Sequence, residues 1–152
     1  MMRLKPMKEF LNNIEECHIA LANLYANLSL KTNDKQVKHL LDFMQNKEKR
    51  SHLLLCEYTQ QAPQSLLETW LENAADNDFP SHYKKMQLKE NLEVQDVVNL
   101  ALKLNTQLIE LMQNTAYHSP TIEAEVALVH LTDREEETLH QVVKASHELE
   151  FM

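Results

Sequence analysis

The sequence predicts an all-helical protein, and three features of its composition support that prediction. The 152 residues include no glycine and only four prolines, and aromatic residues make up 6% of the chain. Tight β-turns generally require glycine, so the composition excludes most sheet folds. Leucine, glutamate, lysine, glutamine and alanine are abundant, and all five favour helices. The length is sufficient to bury a real core, and we expect residues 1–152 to form a single helical domain.

In four long segments, mostly apolar side chains recur at steps of three and four residues, so they lie on one face of a helix. They run from Phe10 to Leu28, from Val37 to Thr59, from Val94 to Thr115, and from about Thr121 to Glu148. Asn33 or Asp34 can cap the second helix. Ser119 can cap the fourth, with Pro120 well suited to the first helical position.

The connections between the four segments are short, long and short. In the long connection, residues from Ser65 to about Asn73 are predicted to form a short helix anchored by Trp70 and Leu71. Asn77, Asp78 and Pro80 are expected to end it. Short links join antiparallel neighbours, whereas a long link can cross from one end of a bundle to the other. The predicted fold is therefore a four-helix bundle of two antiparallel hairpins joined by a long crossover that contains a short helix.

The charge and the cysteine count limit the partners and the compartment. The formal net charge is −8, which argues against nucleic acid and anionic membranes as partners. No run of about 18 apolar residues exists, and the first ten residues do not resemble a signal peptide. Cys17 and Cys56 fit neither a disulfide framework nor a paired-cysteine metal motif. We therefore expect a protein of the reducing cytoplasm.

Several polar residues lie on the stripes that are predicted to face the interior. They are His18 on the first helix, Glu48 and His52 on the second, Asn105 on the third, and Glu136, Glu137 and His140 on the fourth. A glutamate four residues before a histidine shares its helical face, and a glutamate three residues before does so too. Such groups can bind a metal ion, or they can form a buried hydrogen-bonded network without one. The polar positions in the two hairpins also lie at similar depths, which suggests internal twofold pseudosymmetry.

This layout resembles the ferritin-like superfamily, particularly its rubrerythrin and bacterioferritin branches, over about Phe10 to Glu148. In that family a first-helix glutamate precedes a tyrosine by seven residues, and here Tyr25 is preceded by His18 at that distance. The second helix of the family carries Glu-x-x-His, and here His52 is preceded by Lys49, with Glu48 one residue away. The third helix has Asn105 where the family has an inward glutamate. The fourth helix keeps the pattern, from Glu137 to His140.

The resemblance implies a ferritin-like bundle, and it implies a metal centre that is altered because three of the four expected carboxylates are missing or displaced. The residues then suit a single transition metal better than two, with iron, zinc or manganese as candidates. The candidate ligands are His18, Glu48, His52, Glu136, Glu137 and His140, with Tyr25 and Asn105 beside them.

The alternative function is a metal-free ferritin-like scaffold that acts through protein–protein contact, with a homodimer as one form. A phosphoaccepting histidine would have to be exposed, which the inward stripes do not favour. A Cys56–His52 pair on one helical face lacks an evident oxyanion site, so thiol hydrolysis is not favoured either.

Overall fold

The structure, a computed structural model, describes residues 4–72 and 91–150. Its elements in chain order are β1 (Leu4–Pro6), α1 (Met7–Lys31), α2 (Lys35–Gln61), α3 (Gln64–Leu67), β2 (Trp70–Glu72), α4 (Val94–Tyr117) and α5 (Ile122–Glu150). Helices α1 and α2 form one hairpin, α4 and α5 form the other, and α2 contacts both helices of the second hairpin. The all-α prediction is confirmed, and so are the two helical hairpins.

The ends of the first hairpin follow from local chemistry. The carboxylate of Asp34 accepts hydrogen bonds from the backbone amides of Gln36 at 2.9 Å and Val37 at 3.2 Å. These amides lack partners in the first turn of a helix, so an acceptor at this position stabilises α2 by about 1 kcal/mol. The predicted cap is confirmed. With a turn of three residues between them, α1 and α2 must run antiparallel.

The second hairpin begins at a different cap from the one predicted. Thr121 Oγ1 accepts a hydrogen bond from the amide of Ala124 at 3.1 Å, so Thr121 caps α5. The hydroxyl of Ser119 instead donates to the carbonyl oxygen of Thr115 at 3.0 Å, at the end of α4. The cap therefore lies two residues further along the chain than the Ser119-Pro120 pair suggests.

The beginning of the crossover differs from the sequence prediction. The short helix ends at Leu67, and Trp70–Glu72 form a strand that pairs antiparallel with Leu4–Pro6. Leu71 is buried as expected, but Trp70 is 58% exposed and does not anchor the segment in the core. Pairing with a strand more than sixty residues away decides this structure, so local periodicity does not reveal it. The predicted break at Asn77, Asp78 and Pro80 lies outside the described residues.

Corresponding positions of the two hairpins are 87 residues apart in the sequence. Helices α1 and α4 begin 87 residues apart, at Met7 and Val94, and so do α2 and α5, at Lys35 and Ile122. Buried residues match at this offset, including Leu41 with Leu128 and Leu55 with Val142. The two hairpins therefore repeat one another along the chain at this offset, which places His52 opposite Leu139 rather than His140.

The core is apolar and lies between the hairpins. Its largest fully buried side chains include Phe10, Leu21, Leu40, Met44 and Leu104. Within residues 4–72 and 91–150, no helix has both the length and the apolar content needed to cross a membrane.

Candidate functional site

A buried histidine stands at the centre of the bundle between two carboxylates. His18 on α1 is 1% exposed. Its Nδ1 lies 2.6 Å from Glu48 Oε2 on α2, and its Nε2 lies 2.7 Å from Glu135 Oε1 on α5. The Glu48 side chain is 5% exposed, and that of Glu135 is 12% exposed. We call these three side chains the central triad.

The geometry of the central triad favours one protonation state of His18. An ionised carboxylate only accepts hydrogen bonds, so two carboxylates at the two ring nitrogens require both nitrogens to donate. An imidazole does this only as the imidazolium cation. Burial by itself lowers the pKa of His18, but the charges and hydrogen bonds of Glu135 and Glu48 outweigh burial and raise the pKa to about 10. With both carboxylates ionised, the two contacts therefore favour the imidazolium form of His18.

Two opposing effects act on the pKa of Glu48. Burial raises the pKa of its carboxyl group, while the hydrogen bond and the charge of His18 act to lower it. The short contact to the imidazolium keeps the carboxylate satisfied where water does not reach it, as a buried charge requires. The three groups together thus form a charge-assisted link among α1, α2 and α5.

Of the candidate ligands, His52 belongs to a separate cluster at the edge of the first hairpin. Its Nδ1 donates to the backbone carbonyl oxygen of Glu15 at 3.1 Å. Its Nε2 lies 3.5 Å from Cys56 Sγ. The carboxylate of Glu15 accepts a hydrogen bond from the Thr59 hydroxyl at 3.0 Å. The structure therefore does not bring His52 to His18 and Glu48.

The candidate residues on α5 face solvent. Glu136, Glu137 and His140 are all exposed, and their expected inward orientation is wrong. Glu136 accepts a hydrogen bond from the side-chain amide of Gln113 at 3.1 Å. The buried face of α5 is turned by about one residue from the predicted one, which places Glu135 rather than Glu136 towards the core.

The two residues expected beside the ligands are buried. Asn105 on α4 occupies the position equivalent to His18 in the 87-residue register, and its side-chain amide donates to the carbonyl oxygen of Ala101 at 2.8 Å. Tyr25 is 1% exposed. Cys17, next to His18 in the chain, is also buried, and burial together with nearby glutamates raises the pKa of its thiol to about 12.

Glu135 is the functional residue that sequence reasoning missed, although the sequence contains a signal for it. Leu128, Glu135, Val142 and Leu149 recur every seven residues along α5, and the three apolar members are buried. Leu41, Glu48 and Leu55 repeat the same spacing on α2. A glutamate with leucine or valine seven residues before and after it is therefore predicted to be buried, and this pattern identifies both Glu48 and Glu135.

Comparisons with known proteins support the fold alone. No protein-family model matches the chain. No curated protein matches it in sequence. Among solved structures, the chain is similar to a proposed ferritin-like diiron-carboxylate protein from Thermotoga maritima, with a TM-score of 0.60 and 14% sequence identity. The match covers 95% of this chain and 96% of the other. Fold and site together define a ferritin-like helical bundle with an ionic triad at its centre.

The residues present do not fit the two-metal centre that the resemblance implies. Both nitrogens of His18 already bind carboxylates, and these lie at opposite edges of the ring, so they do not converge on one ion. Three positions after each carboxylate, where Glu-x-x-His would have histidine, the chain has Ser51 and Thr138. In the part of the chain that the structure describes, no three histidine, cysteine, aspartate or glutamate side chains are grouped to hold a metal.

A small cavity lies where the histidines of that pattern would be. Its volume is about 40 Å³, and Ser51, Thr138 and Glu135 line it together with apolar side chains such as Leu55 and Met112. Serine and threonine are much smaller than histidine, so Ser51 and Thr138 leave space beside Glu135 that two histidines would fill. The 87-residue register relates Ser51 to Thr138 as it relates Glu48 to Glu135.

Proposed function

We propose that this protein is a ferritin-like scaffold whose centre is the ionic triad rather than a metal site, and that it acts through protein–protein contact. The observation that carries the proposal is the imidazolium of His18 bound on both sides by Glu48 and Glu135. One cation between two carboxylates supplies the positive charge that a metal ion supplies in a carboxylate-rich bundle.

The central triad suits a structural role because it connects the two hairpins. Glu48 belongs to the first hairpin and Glu135 to the second, and His18 binds both at 2.7 Å or less. Buried ionic groups often add little net stability, because removing them from water is costly. In some proteins they instead fix one arrangement of helices over others, and we assign that role to this triad.

The description of the Thermotoga maritima protein raises diiron chemistry as the alternative. That chemistry needs several ligands with free lone pairs directed at a common point. Here the imidazole of His18 donates from both nitrogens, and the amide of Asn105 is turned towards its own helix. The donor set therefore favours the scaffold.

A group of exposed apolar side chains lies at one end of the second hairpin. Tyr117 and Ile122 are 83% and 80% exposed, and Val126 and Val129 are also exposed. Ile122, Val126 and Val129 follow one another at steps of four and three, so they form one stripe on α5, and Tyr117 lines the same depression as Val129. We propose that this stripe pairs with the same stripe of a second copy, because a twofold axis brings identical patches together and would bury the exposed apolar side chains of both copies.

One purified sample tests both parts of the proposal. In the Cys56→Ser variant, which removes the thiol of the peripheral cluster, we expect far less than one equivalent of iron, manganese or zinc after growth with all three metals. Sedimentation analysis is expected to give a dimer, and Val126→Glu with Val129→Glu is expected to give a monomer of unchanged helicity. Leu30→Glu is the matched control, because Leu30 is 80% exposed on α1 and its replacement should leave the dimer intact.

Two results would overturn the proposal. A stoichiometric metal that is lost in Glu48→Gln would place a metal at the centre. A wild type that is monomeric at all concentrations would refute the pairing of the α5 stripes. Both cysteines in the described residues are free thiols, and we place the protein in a reducing compartment such as the cytoplasm on that basis.

A further inference from the structure

The cavity beside Glu135 opens to solvent and is apolar over most of its wall. Two of the residues that line it, Leu54 and Arg134, are exposed, so a small molecule can enter from water. The apolar wall is completed by Leu11, Ile14, Leu55, Met112 and Leu131. The scaffold function proposed above makes no use of this space.

The polar groups of the cavity are mainly hydrogen-bond acceptors. Glu135 Oε1 binds His18, and the second oxygen, Oε2, has no hydrogen bond to any of the described residues. The Thr138 hydroxyl donates its proton to the carbonyl oxygen of Arg134 at 3.1 Å, so it can only accept from a ligand. The Ser51 hydroxyl is unpaired within residues 4–72 and 91–150. A molecule that fits the polar end of the cavity must therefore donate hydrogen bonds.

The same end of the cavity borders an unbalanced negative charge. With both carboxylates ionised, two carboxylates and one imidazolium leave the central triad with one net negative charge in the interior. A charge held away from water is costly unless it is paired. Arg134 also lines the cavity, but it is exposed and forms no ion pair with a described residue. Water therefore screens Arg134, and the charge of the triad favours a cation inside the cavity.

The size of the cavity limits such a cation to a few atoms. One water molecule requires about 10–15 Å³ of space of this kind. The cavity volume of about 40 Å³ therefore accommodates about three non-hydrogen atoms. A primary ammonium group has three N–H donors for the acceptors on Glu135, Ser51 and Thr138, and a short alkyl chain can lie against the apolar wall.

We propose that this cavity binds a short primary alkylammonium ion. The ammonium group donates to Glu135 Oε2 and to the hydroxyl oxygens of Ser51 and Thr138, and the alkyl chain packs against Met112 and Leu131. The ion balances the net charge of the central triad, and its binding involves no covalent change. This site goes beyond the scaffold function, and it depends on the charge of the triad rather than on dimerisation.

Titration of the full-length protein with ethylammonium chloride tests this proposal, with carbon-13 NMR of labelled methionine methyl groups as the readout. Met112 lines the cavity, and its resonance is assigned by its loss in Met112→Leu. We expect this resonance to shift and to saturate with a dissociation constant on the order of 1 mM, the range open to so small a ligand.

Three other small molecules show what the cavity recognises. Ethanol has one donor and no charge, so it is expected to bind at least about tenfold more weakly than ethylammonium. Acetate is an anion, and tetramethylammonium is a cation without an N–H donor. At the same ionic strength, neither is expected to shift the Met112 resonance.

Substitutions at the cavity and away from it locate the binding. Thr138→Leu fills the cavity and removes an acceptor, so we expect it to abolish the binding of ethylammonium. Thr106→Leu is the matched control, because Thr106 is an exposed threonine on α4, and this variant should bind as the wild type does. Arg134→Gln is expected to bind at least as tightly as the wild type, since it removes a neighbouring cation.

Circular dichroism of each variant establishes that it is folded. The proposal is overturned if the folded wild type shows no saturable shift with ethylammonium, or if ethanol or acetate binds as tightly. It is also overturned if folded Thr138→Leu keeps its affinity, or if Arg134→Gln binds ethylammonium more weakly. None of these outcomes depends on whether the protein forms a dimer, so they are separate from the test of the scaffold function.

Discussion

Replacement of Glu48 by alanine is expected to destabilise the protein by about 3–5 kcal/mol, the usual cost of removing one partner from a buried ion pair. The substitution removes the acceptor of His18 Nδ1, and His18 is only 1% exposed, so water cannot replace that acceptor. It also leaves the charge of the imidazolium balanced only by Glu135. His18 must then lose its proton or remain as an incompletely compensated buried cation, and both states are unfavourable.

Urea unfolding followed by circular dichroism measures this effect. Glu136→Ala is the matched control, because Glu136 is also a glutamate on a long helix but is exposed, and its replacement should change the free energy of unfolding by no more than about 0.5 kcal/mol. Replacement of the whole triad by apolar residues, as in His18→Leu with Glu48→Met and Glu135→Met, is expected to restore most of the stability. If Glu48→Ala were as mild as Glu136→Ala, the ionic centre would be refuted.

The second large effect is a loss of stability as the pH rises. The pKa of His18 is raised from 6.5 to about 10 in the folded protein. A raised pKa means that the folded state retains a proton that the unfolded state releases. The stabilisation is therefore complete below about pH 6.5 and is lost as the pH rises towards 10, by at most about 1.4 kcal/mol for each pH unit. The raised pKa of Glu48 acts in the same direction, starting from its ordinary value of 4.5.

Urea midpoints between pH 6.5 and 9.5 provide the measurement. The apolar triple variant is the reference, because its other titrating groups are the same as those of the wild type. We expect the wild type to lose stability markedly faster than the triple variant across this range. Parallel curves for the two proteins would show that His18 does not carry a shifted proton.

Much of the fold could be predicted from the sequence because helices record their buried faces locally. The stripes of α1, α2 and α4 and the cap at Asp34 each depend on residues within one or two turns. The pairing of Leu4–Pro6 with Trp70–Glu72 could not be predicted in this way, since neither segment has a strand pattern of its own. Only the tertiary contact makes them a sheet.

The site was harder to predict because shifting the buried face of α5 by one residue changes which glutamate is buried. Glu135, Glu136 and Glu137 are consecutive, and periodicity through Val129 and His140 favoured Glu136 as the inward residue. The heptad through Leu128 and Val142 favours Glu135, and tertiary packing selects that face. The prediction of a central His18 and Glu48 agrees with their placement, whereas His52 lies one turn further along α2 and contacts Glu15 on α1.

Nitrogen-15 NMR of the His18 ring tests the central claim most directly, with the resonance assigned by its loss in His18→Leu. We expect both ring nitrogens to be protonated at pH 8, with two slowly exchanging N–H protons and no titration until about pH 10. A neutral ring at pH 8, a midpoint near the ordinary value of 6.5, or a nitrogen shifted by a bound metal would contradict the imidazolium centre.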